Sequence, residues 1–140
     1  MNNPKSAEPE HLCKELSNAL KGILTWKWDD RFGTVLSEFS TDNKTHIHDV
    51  LKGRLDRVWD ISGIEKAPDV VKTVISGLGG MIPGQLLFTS DPAGPLVFCA
   101  WWPWGNGKTI SIRIAVLSID SDRSEESRRL KEWFGINSNA

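Results

Sequence analysis

The segment Leu96-Val-Phe-Cys-Ala-Trp-Trp-Pro-Trp104 decides the fold of this chain, because it has the composition of a β-strand that is apolar on both faces. It lies between two further strand patterns, at residues 85–90 and 109–119. Short turns rich in Gly, Pro and Asn separate the three segments, so we expect neighbouring strands to run antiparallel. Two apolar faces need two covers. One is expected from the chain's own helices, and the other from more helix, a ligand or another protein chain.

Composition indicates a single domain with no charge bias. The chain has 140 residues, with 17 Lys and Arg against 18 Asp and Glu, for a net charge of −1. This length is sufficient for one ordinary core, and this charge gives no basic groove for nucleic acid. No apolar run approaches the ~20 residues of a spanning helix. We therefore expect neither a nucleic-acid nor a membrane partner.

The cysteines and the termini indicate compartment and domain limits. Cys13 falls in a predicted helix and Cys99 in a predicted strand, and the polar N-terminus has no hydrophobic signal region. This pattern predicts buried free thiols in a cytoplasmic protein. We expect a disordered tail over residues 1–8, one domain over residues 9–135, and a loose tail over residues 136–140.

The first part of the chain predicts a helix followed by a hairpin. Helical spacing begins at Pro9 and continues through five apolar residues: Leu12, Leu16, Ala19, Leu20 and Ile23. Strand patterns at residues 23–28 and 34–39 then flank the loop Asp29-Asp-Arg-Phe-Gly33, whose Asp and Gly are typical of a short hairpin connection.

Helical patterns occupy the middle and the end of the chain. Residues 45–59 favour a helix, and the competing interpretation is a hairpin turning at Lys52-Gly53. A second helix is predicted from Pro68 to the stop at Gly79-Gly80. Asp122, with Glu125 three residues on, can form a capping box at the start of a final helix. Together the patterns predict an α+β fold with a five-stranded antiparallel sheet and helices on one or both faces, in the order helix, two strands, one or two helices, three strands, helix.

Each motif that suggests catalysis or metal binding lacks a residue that this chemistry requires. Gly107-Lys108-Thr109 resembles the end of a phosphate-binding loop, but Trp102 stands where that loop needs glycine, and a strand follows instead of a helix. His46 and His48 diverge on a helix and have no paired Cys motif beside them. We therefore predict a non-enzymatic protein without a metal site or a cofactor.

The second face of the Trp-rich strand is the candidate binding surface. We expect it to combine strand residues with neighbours from the last strand, in a mixture of aromatic, small and Arg side chains that interfaces favour. The predicted set is Val97, Cys99, Trp101, Pro103, Ser111 and Arg113.

The order of elements resembles that of the Roadblock-type dynein light chain family, which includes bacterial regulators of small GTPases. The resemblance covers most of the chain and depends on these segments: the helix at 12–23, the hairpin with Asp30-Arg-Phe-Gly33-Thr-Val-Leu36, the strands at 86–90, 96–100 and 110–116, the turn at 105–107, and the closing helix. It implies a non-enzymatic homodimer that presents a joint surface to a second protein such as a small GTPase. Two helical segments before the third strand, and the run Trp101-Trp-Pro-Trp104, depart from the family pattern.

Two other functions fit the same sequence. One is a secretion chaperone or immunity-type protein that masks an apolar segment of a partner. The other is a small-ligand sensor with a pocket lined by Trp101, Cys99 and Arg113.

Overall fold

The computed structural model of the chain describes residues 4–117 and 123–136. Within them the elements follow in the order α1 (Pro4–Ala19), β1 (Lys27–Asp29), β2 (Thr34–Ser40), α2 (Lys44–Arg54), β3 (Arg57–Trp59), α3 (Asp69–Gly77), β4 (Leu86–Thr89), β5 (Leu96–Pro103), β6 (Thr109–Leu117) and α4 (Arg123–Trp133). The predicted α+β class is confirmed.

The strands of the described residues form one six-stranded antiparallel sheet in the order β1-β2-β6-β5-β4-β3. The prediction of five strands is therefore wrong by one. The apolar β5 and β6 lie at the centre of the sheet, where both of their edges are paired. The edge strands β1 and β3 have three residues each, a length that limits pairing with other chains.

The additional strand comes from the segment predicted to be one helix. α2 confirms the helix over the hairpin at Lys52-Gly53, but Leu55 leaves the helix in an extended conformation. Val58 and Trp59, which helical spacing placed in the same apolar stripe, belong instead to β3 and pair with β4. The indole Nε1 of Trp59 donates to the hydroxyl of Thr89 over 3.1 Å. Pairing with a distant strand overrides the local spacing here.

Three helices cover one face of the sheet, which we call the inner face. The ring of His48 in α2 lies 5.1 Å from the ring of Phe88 and 5.6 Å from that of Trp101. In α4, the ammonium group of Lys131 lies 4.8 Å from the ring of Trp28. α1 contacts α2, α4 and β5, which completes the layer.

The opposite, outer face is covered only in part. Over β4 and most of β5 its side chains are buried, with Leu87 and Thr89 at 0% exposure and Ala100 at 1%. α3 lies on this side, since Val74 in α3 and Leu78 directly after it line a cleft together with outer-face residues of β5 and β6. The outer face of β1, β2 and their neighbour β6 extends beyond α3.

The hairpin between β1 and β2 has the predicted loop. The backbone N–H of Gly33 donates to the carbonyl of Asp29 over 2.9 Å, and Gly33 adopts a φ of +69°, which glycine tolerates without steric cost. The N–H of Arg31 donates to the carboxylate of Asp29 over 3.1 Å. This turn brings Phe32 back over the sheet.

The ends of the chain differ in detail from expectation. α1 begins at Pro4, so Pro9, the expected start, lies inside the helix. Ile136 is half-buried and its N–H donates to the carbonyl of Lys131 over 2.8 Å. The cap at Asp122, the last residues of the strand predicted to reach 119, and residues 1–3 and 137–140 of the expected tails lie outside the described residues. Among the described helices, none has the length and apolar character needed to cross a bilayer.

Candidate interaction surface

Three of the six predicted interface residues are buried inside the chain. Val97 and Cys99 have no exposed surface, and Trp101 is 5% exposed. All three point to the inner face, where α1 and α2 cover β5. These three side chains therefore form no accessible surface, because the amphipathic helices of the same chain supply the cover that β5 requires.

Two of the remaining predicted residues, Ser111 and Arg113, do not share that face. Ser111 pairs directly with Trp102, and Arg113 pairs with Ala100, so both belong to the outer face. Pro103 is the last residue of β5 and is exposed. Strand alternation gives two sets of side chains for each strand, but it does not show which set of one strand lies beside which set of the next. A register shift of one residue between two strands moves every side chain of one strand to the other face relative to its partner.

The strand register also places the residues of the predicted ligand-sensor pocket on opposite faces of the sheet. Trp101 and Cys99 lie on one side of the sheet, and Arg113 lies on the other. These three side chains therefore cannot line a common pocket.

Arg113 is the centre of a network on the outer face. Its Nε donates to Oδ2 of Asp29 over 2.8 Å, and the side chains of the two residues are only 15% and 11% exposed. A second guanidinium nitrogen donates to the hydroxyl of Ser111 over 3.3 Å. The guanidinium carbon lies 4.4 Å from the ring of Trp102 and 5.4 Å from that of Phe32. The charge is thus paired, hydrogen-bonded and held against aromatic rings, as a buried cation requires.

Asp29 connects this network to the hairpin loop. One carboxylate oxygen accepts from Arg113, and the other accepts from the backbone N–H of Arg31 in the turn. The loop then places Phe32 edge-on to Trp102, with ring centres 5.6 Å apart. Loop and sheet thus contribute to one connected cluster, which we call the aromatic platform: Asp29, Phe32, Trp102 and Arg113.

This platform belongs to a part of the outer face that no helix of the described chain covers. We call it the open half-face and define it by six residues of β1, β2, β5 and β6: Lys27, Asp29, Leu36, Glu38, Trp102 and Arg113. All six are half-buried or exposed. On the same strands, the inner-face residues Val35, Ile112 and Ile114 have no exposed surface. The two faces of these strands therefore have different environments.

The open half-face has two charges of each sign. Lys27 pairs with Glu38 over 3.2 Å at the exposed edge, and Arg113 pairs with Asp29 nearer the core. The surface is therefore neutral as a whole and has no excess positive charge that would attract a polyanion.

Both cysteines of this structure are buried. Burial raises the pKa of the Cys13 thiol to about 12, and it raises the pKa of the Cys99 thiol as well. Since the thiolate is the nucleophile, neither residue is activated for covalent chemistry. Both are free rather than joined in a disulfide.

The other sequence motifs have structural explanations. The backbone N–H groups of Lys108 and Thr109 both donate to the side-chain oxygen of Asn106, at 2.8 and 3.1 Å, in the turn that leads into β6. His48 packs against aromatic rings, and His46 is exposed. Among the described residues, no group of three or more His, Cys, Asp or Glu side chains could hold a metal ion.

Sequence analysis missed Asp29, Phe32, Leu36 and Trp102 as surface residues. A partial signal was present in β2, where Leu36 and Glu38 alternate with Val35 and Ser37. That alternation indicates that one face of β2 is less buried than the other. The pairing of Asp29 with Arg113 has no local signal, because 84 positions separate the two residues.

Comparison with known proteins adds no relative. No protein-family model matches the chain, and neither the curated proteins nor the solved structures contain a significant match.

Proposed function

We propose that this protein is a non-enzymatic interaction module that forms a homodimer through the open half-face. The observation that carries the proposal is the unequal cover of β1, β2 and β6. Helices bury most of their inner face, whereas Lys27, Leu36 and Glu38 of their outer face, with Trp102 of the adjacent β5, are half-buried or exposed.

The chemistry of the open half-face is that of an interface. Trp and Arg are enriched at the energetically important positions of protein interfaces, and Trp102 and Arg113 lie here in contact with each other. Both are fixed in place, by Phe32 and by Asp29 respectively. Side chains that are already ordered lose less conformational entropy on binding, so the platform is preorganised.

The charge pattern favours a second copy of the same chain as the occupant. In a two-fold symmetric interface the same surface appears on both sides, so it must be complementary to itself. Lys27 and Glu38 carry opposite charges at one edge of the open half-face and are exposed over 61% and 37% of their side chains. Across a two-fold axis each could contact the other residue of the second copy, in a surface whose charges balance.

The dimer would act by presenting a joint surface to another protein in the cytoplasm. The resemblance to Roadblock-type light chains suggests a small GTPase as that protein. The fully buried, unreactive thiols of Cys13 and Cys99 are compatible with a reducing compartment.

Light scattering coupled to size exclusion tests the dimer at micromolar concentration. Leu36→Glu is the informative variant, because Leu36 lies between Lys27 and Arg113 on the paired strands, so a carboxylate is tolerated in the monomer. It should convert the dimer to a monomer with an unchanged circular dichroism spectrum. Ile82→Glu is the matched control, since Ile82 is 62% exposed in the loop before β4, away from the open half-face. A monomeric wild type, or equal effects of the two variants, contradicts the proposal.

Affinity capture with the wild type and Leu36→Glu then tests the partner. Capture of a small GTPase by the wild type alone supports the adaptor role. Capture of one tightly bound exported protein by both forms would instead support the secretion-chaperone function.

A further inference from the structure

A cleft of about 400 Å³ lies between the C-terminal ends of α1 and α4, beside the segment that leads into β1. We call it the α1–α4 cleft. Its lining residues come from these two helix ends and from the connecting segment, and none of them belongs to the open half-face. Small-molecule sites have volumes of ~300–1,000 Å³, so the α1–α4 cleft is large enough for one ligand.

Two indole rings line the α1–α4 cleft. Trp26 precedes β1, Trp133 is the last residue of α4, and both are half-buried. The buried ring of Phe134 lies 4.8 Å from the ring of Trp26 at an interplanar angle of 67°, which holds that indole in place. The face of an indole is electron-rich and attracts polarised C–H groups. The α1–α4 cleft therefore offers ordered aromatic surface to a ligand.

Polar groups without intramolecular partners surround the two rings. Within the described residues, no side-chain hydrogen bond involves Ser17, Asn18 or Thr25. The indole N–H groups of Trp26 and Trp133 likewise have no acceptor among the described residues. Hydroxyl and amide side chains both donate and accept, and an indole N–H donates. This set can exchange hydrogen bonds with several hydroxyl groups of one ligand.

The charges around the α1–α4 cleft favour a neutral ligand. Lys21 lines the cleft and forms no ion pair with the described residues. The C-terminal ends of α1 and α4 place partial negative charge beside this ammonium group, which reduces its attraction for an anion. Glu132 already lies 3.7 Å from Arg128, so it contributes little to the binding of a cation.

From this arrangement we propose that the α1–α4 cleft binds a neutral pyranose sugar. A pyranose ring combines an apolar face of C–H groups with a rim of hydroxyl groups, and the cleft has a counterpart for each. The ring lies against Trp26 and Trp133, and its hydroxyls exchange hydrogen bonds with Ser17, Asn18 and Thr25. The site does not depend on the proposed dimer, because its residues lie outside the open half-face.

Nitrogen–proton correlation NMR tests the site through the indole N–H resonances, of which the chain has seven. Titration with glucose, galactose and mannose should shift the resonances of Trp26 and Trp133 saturably with at least one of these sugars. The resonance of Trp104 should not shift, since Trp104 is 44% exposed but does not line the cleft. Replacement of each of these tryptophans by Phe assigns the resonances. No saturable shift at Trp26 and Trp133, or an equal shift at Trp104, overturns the proposal.

Three further compounds test the class of ligand. Sorbitol keeps the hydroxyl groups but has no ring face, and glucuronate keeps the ring but carries a carboxylate. Both should bind about tenfold more weakly than the preferred neutral sugar, and equal or tighter binding of either one overturns the proposal. The methyl glycoside of the preferred sugar distinguishes the source of the ligand. Binding that is equal to or tighter than that of the free sugar assigns the α1–α4 cleft to a glycan end, and weaker binding assigns it to a free monosaccharide.

A pair of identical substitutions locates the polar contacts. Asn18 and Asn43 are both exposed, and the side chain of Asn43 makes no capping hydrogen bond at the start of α2. Asn18→Ala should weaken sugar binding about three- to tenfold, because one or two hydrogen bonds to the ligand are lost. Asn43→Ala removes the same amide outside the cleft and should bind as the wild type does. Equal binding by the two variants overturns the proposed contacts.

Discussion

The guanidinium Nε of Arg113 donates to Oδ2 of Asp29 over 2.8 Å, between residues that are 84 positions apart in the chain. This contact joins the edge strand β1 to the central strand β6 across β2, which lies between them in the sheet. Because both side chains are largely withdrawn from water, the pair is not an ordinary surface salt bridge. Its removal should have different consequences depending on which partner is changed.

Arg113→Ala should lower the free energy of unfolding by about 2–4 kcal/mol. It leaves the Asp29 carboxylate without its cation and removes the contact with the Trp102 ring. Asp29→Asn should cost about 1–2 kcal/mol, because the amide keeps an oxygen for the Arg31 N–H but turns its NH2 donor toward Arg113, which retains only Ser111 and Trp102. Urea denaturation measures both values. A larger loss for Asp29→Asn than for Arg113→Ala would show that the arginine is not the centre of this network.

Two glycine substitutions should change the free energy of unfolding in opposite directions. Gly33→Ala places a Cβ at a φ of +69° in the hairpin loop and should destabilise the protein by about 1–2 kcal/mol. Gly53→Ala lies within α2, where the new Cβ meets no atom within 4 Å, and should stabilise the protein by about 1 kcal/mol. Thermal unfolding of the two variants beside the wild type provides the comparison. A destabilising Gly53→Ala would argue for the hairpin at Lys52-Gly53 instead of the helix.

Thr89→Val tests how β3 is attached to the sheet. Valine has the shape of threonine but removes the acceptor for the Trp59 indole N–H, and the cost should be about 1–2 kcal/mol. In a Trp59→Phe background the same substitution should cost less, because no donor is then left unsatisfied. A double-mutant cycle measured by urea denaturation gives the coupling energy. Zero coupling would mean that the two side chains do not interact in solution.

Cys13 and Cys99 should react with a thiol reagent only as fast as the protein opens. Burial raises the pKa of Cys13 to about 12 and raises that of Cys99 as well, so neither thiol ionises in the folded state near neutral pH. In the unfolded state both ionise near pH 9, so unfolding releases protons above that value. Stability due to these thiols is therefore complete below pH 9 and falls as pH rises toward the folded-state pKa.

The kinetics of labelling with a thiol reagent at pH 8 and pH 10, with and without urea, distinguish buried thiols from exposed ones. We expect slow labelling of both cysteines without denaturant and fast labelling in urea. Replacement of each cysteine by Ala in turn assigns the two rates. Rapid modification of either residue in the folded protein would contradict its burial.

Local chemistry in the sequence was sufficient for most of the secondary structure. The Asp and Gly of the 29–33 loop specify the hairpin, Pro68 and Gly79 bound α3, and the apolar run 96–104 gives the central strand. These predictions held because each depends on backbone conformation or on spacing within a few residues. The strand and helix patterns likewise predicted the α+β class that the structure has.

Contacts between distant segments decided the rest. β3 exists because Arg57–Trp59 finds a partner in β4, which is a stronger constraint than the weak helical spacing of the same residues. The registers of β2 and β6 place Arg113 beside Asp29, Leu36 and Trp102 and on the opposite side from Trp101. The sequence by itself determined the central strands and the need of both faces of β5 for cover. Only the tertiary structure decided which helices supply that cover and which half-face stays open, because strand register and layer packing depend on the whole chain.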